Sequence, residues 1–363
     1  MVLKKIAFVI PSLGPGGAER VVVTLANKLC FKYKITLILL YKEHNILYKI
    51  DKRVKIFYCS EHLRHSNNFI QALVNNRKSI NNISNFVKNE NISILIGFTT
   101  TCNIFSIISA KRNKIPTIIS DRSNPYATKL SLFWRSVRYI TYPLANFLVV
   151  QTQLSKEFYS LINRKKLKVL PNPLSKELID KIDNSINKEN IILYVARLDK
   201  NKAQDTLLKA FSKIDNKDWK LVLVGDGNKR KEYEQLANKL NIIDSVIFTG
   251  KINNPEYYYN RAKIFAFTSK SEGFPNALIE ALSFGLPCVS TNCPSGPSEL
   301  IDDGNNGFLI PVGDSKALQN KLNLLIEDDK LRNNLSKKAN LKGKEFHIDN
   351  VCLKWERLIS KLI

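Results

Sequence analysis

Residues 191–250 read IILYVARLDKNKAQDTLLKAFSKIDNKDWKLVLVGDGNKRKEYEQLANKLNIIDSVIFTG. Three runs of β-branched and other apolar residues, 191–197, 220–225 and 246–250, are separated by stretches of helical periodicity. A strand apolar at nearly every position is covered on both faces, and strands that alternate with helices pair in parallel. The scheme continues at 264–268, 287–291 and 307–310. It also runs through the first half, with strands expected at 5–10, 34–41, 92–98, 116–120, 146–151 and 167–170 and helices such as 18–30 and 69–88 between them. Two such series predict an α/β chain of two doubly wound domains. With 363 residues, 44% of them hydrophobic, the chain can bury a core in each.

The boundary is expected within 171–190, where Pro171 and Pro173 bracket Asn172 and a polar segment, KIDNSINKEN, precedes the next strand. This gives an N-terminal domain over 1–172 and a C-terminal domain over 173–345. A closing helix over 346–363 has Val351, Leu353, Trp355, Leu358, Ile359 and Leu362 as its apolar positions, and the sequence leaves open which domain it packs on. Met1–Pro11 has too short an apolar run for a signal peptide and reads as a first strand. No run approaches 18 apolar residues, so the expectation is a soluble or peripheral protein. The six cysteines form no C-x-x-C pair, which argues against a disulfide framework or zinc site and for a reducing compartment.

Charge is unevenly distributed. The chain carries 56 basic and 32 acidic residues, a formal net charge of +24, and residues 1–170 hold +20 of it. The basic half is expected to meet something anionic: nucleic acid, a phospholipid surface or a phosphorylated substrate. The stretch KLSLFWRSVRYITY at 129–142 interleaves aromatic and basic residues, which suits anionic lipid; a merely solvated basic face is the alternative.

Four places carry candidate chemistry. After the first strand, PSLGPGGAER at 11–20 places Gly14, Gly16 and Gly17 before a helix expected to start near Ala18. Glycines there allow a sharp turn and close approach, and free N–H groups at a helix start suit an anion. A glycine turn needed only for packing is the alternative. The spacing is not G-x-G-x-x-G and no acidic residue closes the second strand, so a dinucleotide site matches poorly. The second place is SEGFPNALIEAL at 271–282. Glu272 is expected in a loop and Glu280 inside a helix whose first turn holds Pro275. Eight residues at helical rise separate them by about 12 Å, against about 5 Å for the carboxylate pair of a retaining glycosidase. That spacing suits hydroxyls at the two ends of one extended ligand, and N–H groups of Phe274, Asn276, Ala277 and Leu278 at the helix start suit a diphosphate. Third, Arg197 and Lys202 leave the carboxyl end of a strand, where a guanidinium fork and an ammonium neutralise a phosphate pair. Fourth, Gly225–Asp226–Gly227 is either a ligand contact or an ordinary strand-to-helix turn.

Taken together, GGAER at 16–20, Arg197 with Lys202, GDG at 225–227 and E-x7-E from Glu272 to Glu280 resemble the retaining glycosyltransferases of family 4 over nearly the whole chain. The resemblance implies a GT-B fold, two facing Rossmann-like domains with the active site in the cleft. GGAER and SEGFPNALIEAL further resemble bacterial enzymes that extend polyprenyl-diphosphate-linked sugars in O-antigen, capsule or N-glycan assembly. By that resemblance the second domain holds a UDP-sugar. Arg197 and Lys202 stabilise its diphosphate, Glu280 binds the ribose, Glu272 holds donor-sugar hydroxyls, and backbone groups from Gly273 through Phe274, Pro275, Asn276 and Ala277 to Leu278 line sugar and phosphate. Asp226 joins the donor contacts, and Gly16 and Gly17 close on the donor from the first domain. Catalysis then rests on positioned charge. No Asp-x-Asp occurs in the chain, so neither metal nor other cofactor is expected, the UDP-sugar being a substrate. Many family members have a histidine near the donor sugar where this chain has Arg122 in SDRSNP; Arg122 binds either the acceptor's phosphate or the donor sugar, and Glu19 is grouped with it.

The resemblance gives the +20 domain to a polyprenyl-diphosphate saccharide acceptor and an anionic membrane, the inner face of the bacterial cytoplasmic membrane. The donor sugar is not legible, with N-acetylgalactosamine or galactose favoured; a different lipid or lipopolysaccharide core is the alternative acceptor. Three rival classes are weaker. A nucleic-acid-binding protein is suggested by pI ≈ 9.7 but has no helix-turn-helix, zinc or RNA-binding signature. An NAD-dependent oxidoreductase lacks its fingerprint. A hydrolysing epimerase or phosphorylase would share the scaffold.

Overall fold

The computed structural model describes residues 3–14, 16–42, 46, 48–63, 66–215 and 218–363. Its contacts divide the chain into two units, Met1–Pro173 with Ile348–Ile363, and Leu174–His347.

The first unit is built on a seven-stranded sheet: β1 Lys5–Ile10, β2 Lys34–Leu39, β3 Lys55–Tyr58, β4 Ile94–Phe98, β5 Thr117–Ser120, β6 Phe147–Val150 and β7 Leu167–Val169. The strand order is β3-β2-β1-β4-β5-β6-β7, and every pairing is parallel. Ile6 stands opposite both Ile35 and Ile94, so the centre of the sheet is apolar on neighbouring strands. The edge strand β3 escapes a reading by composition. It has four residues, KIFY, begins exposed and is only half-buried.

The last helix, Ile348–Ile359, groups with this first unit. Its inward face carries Ile348, Val351, Cys352, Trp355, Leu358 and Ile359 at helical spacing. Leu353, expected among the apolar positions, is 51% exposed because Cys352 takes the inward place beside it. Trp355 is fully buried, with its ring 6.0 Å from that of Phe98.

The second unit carries β8 Ile191–Val195, β9 Lys220–Val224, β10 Val246–Gly250, β11 Ile264–Phe267, β12 Cys288–Thr291 and β13 Gly307–Ile310. They pair in parallel in the order β10-β9-β8-β11-β12-β13. Alternation along the strands builds two cores. Ile192, Tyr194, Leu221, Leu223, Ile264 and Ala266 face the Gln204–Phe211 and Ser315–Glu327 helices on one side. Leu193, Val222, Phe265 and Phe267 face the Asn276–Ser283 helix on the other. The order in which successive strands are added reverses between β8 and β11, and in such sheets ligands bind outside the strands' carboxyl ends at that point.

Candidate active site

The segments after β8 and β11 meet at the reversal point because those strands are neighbours. Lys202 Nζ donates to Glu272 Oε1 at 2.5 Å, with the two side chains 22% and 10% exposed. Arg197 Nε donates to Asp199 Oδ2 at 2.6 Å, while the Arg197 side chain stays three-quarters exposed and available to a ligand. Asp199 ties the Arg197 guanidinium to the backbone that carries Lys202: its Oδ1 accepts from the backbone N–H groups of Asn201 and Lys202 at 2.9 and 3.0 Å. Burial works against its charge, but the Arg197 hydrogen bond and those N–H groups together hold its carboxyl below the ordinary range.

Both segments are fixed from beneath. Tyr194 and Thr268 hydroxyls donate to Lys202 O at 2.7 and 2.9 Å, and Asn201 Nδ2 donates to Ser271 O at 2.8 Å. Ala203 is held in the left-handed region at φ 50°, a strain of order 1 kcal/mol for a residue with a Cβ. Its carbonyl accepts from Thr268 Oγ1 at 3.0 Å, which helps maintain that turn. The Gly273–Pro275 stretch is braced by the loop after β12. Ser295 Oγ donates to Gly273 O at 3.1 Å, and Gly296, at φ 116°, lies so close that a Cβ there would meet Pro275 Cδ at 2.4 Å.

The helix carrying Glu280 runs Asn276–Ser283, so Pro275 stands one residue outside it rather than in its first turn. No side chain caps its start. Leu278 N–H donates to Pro275 O at 3.1 Å and is not offered to a ligand, a correction to the expected set of donors. Phe274 and Leu278 are buried apolar side chains, so only the backbone of this stretch can line a polar ligand. Glu280 is 5% exposed and accepts from Tyr259 OH at 3.0 Å.

The GDG turn lies beside this cluster. Gly225 has φ 129° and a Cβ would stand 2.1 Å from Ala196 O; one on Gly227 would stand 2.2 Å from Leu198 O. Close packing on the 196–198 segment thus explains both glycines. Asp226 is exposed, accepts from Gly227 N–H at 2.8 Å and faces Arg230 Nη1 at 3.8 Å.

The other expected residues belong to the first unit. Gly16 caps the Gly17–Leu29 helix with extended backbone and exchanges hydrogen bonds with the Tyr48 hydroxyl. The Glu19 carboxylate lies against it, 2.0 Å from where a Cβ would stand, so the positive end of that helix already has an anion from the chain itself. Pro15 of the same motif lies outside the described residues. Arg122 stands just past β5, held by Leu170 O and Asn172 Oδ1. Asp199, Asn201, Tyr259 and Ser295 are additions to the residues read from sequence. Only Asp199 had a signal, an Asp two residues before Asn in a turn. All six cysteines are free and buried. Among the described residues no group of three or more His, Cys, Asp or Glu side chains is placed to hold a metal ion.

Chemically, two cationic side chains from the one segment after β8 and a pair of nearly buried glutamates suit an anionic, hydroxyl-rich ligand. In the structure Glu272 neutralises Lys202. An arriving phosphate would take the ammonium and leave Glu272 to accept from a hydroxyl.

Two parallel Rossmann-like sheets, with that cluster at the second sheet's reversal point, define the GT-B architecture of glycosyltransferases. The crystal structure of Anabaena HepE in complex with UDP superposes with a TM-score of 0.79 at 20% identity, covering 99% of this chain and 100% of that one. The family model for glycosyl transferases group 1 matches residues 175–342. A Campylobacter jejuni GalNAc-alpha-(1->4)-GalNAc-alpha-(1->3)-diNAcBac-PP-undecaprenol alpha-1,4-N-acetyl-D-galactosaminyltransferase is 32% identical over 99% of both chains. A second enzyme of that organism, an N-acetylgalactosamine-N,N'-diacetylbacillosaminyl-diphospho-undecaprenol 4-alpha-N-acetylgalactosaminyltransferase, is 30% identical over 95% of this chain and 96% of its own. The chain belongs to the group 1 glycosyltransferase family and is an enzyme of that class.

Proposed function

We propose that the chain transfers N-acetylgalactosamine, with galactose as the alternative, from a UDP-sugar to a saccharide on a polyprenyl diphosphate, with retention of configuration and without a metal. The sugar and the carrier are supported by the names of the two full-length relatives, and UDP by the ligand of HepE. The observation that carries the reading is the Lys202–Glu272 pair, with the Lys202 backbone tied through Asp199 to Arg197, at the reversal point of the second sheet.

In this reading Lys202 and Arg197 hold the diphosphate and meet the charge that grows on it as the bond to the anomeric carbon breaks. Glu272 holds sugar hydroxyls, Glu280 takes a ribose hydroxyl beside Tyr259, and the backbone from Gly273 to Ala277 lines the sugar and phosphate. The acceptor hydroxyl oxygen bonds to the anomeric carbon, and its proton leaves with UDP. Two positioned cations supply the charge that a metal would otherwise bring.

The first unit takes the acceptor at an anionic membrane, on the inner face of the cytoplasmic membrane. No helix among the described residues is long and apolar enough to cross one. The Leu132–Thr141 helix exposes Leu132, Tyr139 and Ile140 by 67–77%. Phe133 meets Phe69 edge-on at 5.2 Å, joining this helix to the exposed Phe69 and Ile70 at the start of the Phe69–Asn89 helix. Arg135 and Arg138 line a groove of about 840 Å³ beside them with Tyr139, Phe158 and Leu161. Apolar side chains among arginines suit an interfacial surface. Vesicle binding that rises with anionic lipid and falls with salt supports docking; equal binding to neutral vesicles refutes its electrostatic basis.

The reading is tested by supplying purified enzyme with a synthetic polyprenyl-diphosphate saccharide and, separately, UDP-linked N-acetylgalactosamine, galactose, N-acetylglucosamine and glucose. An α-linked product from one of the first two is expected. A β-linked product, or transfer from neither of those two donors, contradicts it.

A further inference from the structure

At the carboxyl ends of the first unit's strands lies a charge that its surroundings do not satisfy. Arg122 follows β5 by two residues, and its Nη1 donates to Leu170 O at 3.3 Å and Asn172 Oδ1 at 3.0 Å. Its Nε and Nη2 are buried and have no partner. The neighbouring carboxylate does not pair with them, because Asp121 accepts from the Tyr159 and Ser123 hydroxyls. Burial draws the guanidinium pKa down to about 9, with the charge of Asp121 opposing. The Trp355 and Phe98 rings stand 5.6 and 5.8 Å from the guanidinium carbon. Two further groups nearby are buried without partners: the indole Nε1 of Trp355, and Oε1 of Gln151, whose Nε2 shares Asn172 Oδ1 with Arg122.

An unmade hydrogen bond on a buried charged group is among the more expensive defects in a folded chain. Nε and Nη2 form one edge of the guanidinium, two parallel N–H donors spaced for two oxygens of one oxyanion. They stand where ligands of open parallel sheets bind, beyond the carboxyl ends of β4, β5, β6 and β7. We propose that Arg122 is an oxyanion-binding residue whose Nε and Nη2 take two oxygens of a phosphate group in bidentate contact. Phe98 and Trp355 shield the contact from water and so strengthen it. Which phosphate arrives rests on the function proposed above, since acceptor and donor there each carry a diphosphate.

The test titrates farnesyl diphosphate and UDP separately into the full-length chain and its Arg122→Lys and Arg122→Gln variants. Lysine keeps the charge but not the two-pronged edge, so both variants are expected to lose about tenfold or more in affinity for one probe. Loss confined to farnesyl diphosphate identifies the acceptor's phosphate, and loss confined to UDP the donor's. Affinities within about twofold of wild type for both probes overturn the proposal. So does an Arg122→Gln chain that melts higher with both affinities intact, because the unmade donors are then only a structural burden. If Arg122→Gln does not fold, Arg122→Lys decides. Lys202→Ala serves as the control: weakened UDP binding there, beside intact UDP and farnesyl diphosphate binding in both Arg122 variants, removes this inference and leaves the donor site standing.

Discussion

Replacing Lys202 by alanine should damage turnover far more than folding. The ammonium stands 2.5 Å from Glu272 Oε1, and neither side chain is more than 22% exposed. At an effective dielectric near 20, unit charges about 4 Å apart attract by roughly 4 kcal/mol, and desolvation cancels much of that. A hydrogen bond between charged groups contributes a net of about 1.5–3 kcal/mol. For a unit of this size, that is a fall in Tm of roughly 3–12 °C. The catalytic loss is separate. Removing one preorganised charge from a developing anion costs about 10²- to 10³-fold in kcat. Glu272→Gln keeps the shape and an oxygen acceptor for the ammonium, so it should lose turnover with a smaller change in Tm. The assay is initial-rate transfer at saturating UDP-sugar, with melting curves recorded on the same samples. If either variant keeps kcat within about threefold of wild type, the roles given to this pair are wrong.

Three further outcomes follow from the geometry. Gly225→Ala forces a Cβ to 2.1 Å from Ala196 O at φ 129°, and should lose about 2–4 kcal/mol in denaturant unfolding; a loss under about 0.5 kcal/mol contradicts the close packing. Burial pushes the thiols of Cys293 and Cys352 up to about 12, and all six cysteines are buried, so a thiol reagent should label the native chain negligibly and all six on unfolding. Rapid native labelling would refute that burial. Asp199 titrates below its unfolded value of about 4, so its contribution is complete above that pH and is lost as pH falls through the lower folded value. Asp199→Asn should therefore flatten the acid limb of Tm against pH, and an unchanged acid limb would contradict the assignment.

The parallel sheets were legible because their strands are apolar on both faces, as in IILYV at β8 and ILIGF at β4. β3 was not, since a four-residue edge strand buries too little to impose a pattern. Helical phase was readable to within one residue, and Leu353 shows the limit: Cys352 beside it is small, apolar and inward. At the candidate site, the motifs pointed to Lys202, Glu272 and Glu280, but the partners of these side chains were hidden. Lys202 and Glu272 lie 70 residues apart in sequence and meet only because β8 and β11 are neighbours. Tyr259, which donates to Glu280, comes from a helix with no motif of its own. The glycines of GDG, equally readable as ligand contacts or as a turn, are explained by backbone packing.

We propose that the second unit holds a sugar nucleotide through Lys202, Arg197, Glu272 and Glu280. The most direct test is thermal stabilisation of the full-length chain by UDP, measured beside Lys202→Ala and Glu280→Gln. A ligand at 100 times its Kd stabilises the native state by about 2.7 kcal/mol, which is roughly 5–11 °C for a unit of this size. That rise is expected for wild type, and a clearly smaller one for each variant at the same UDP concentration. An equal rise in all three chains, or none in wild type, would contradict the proposal.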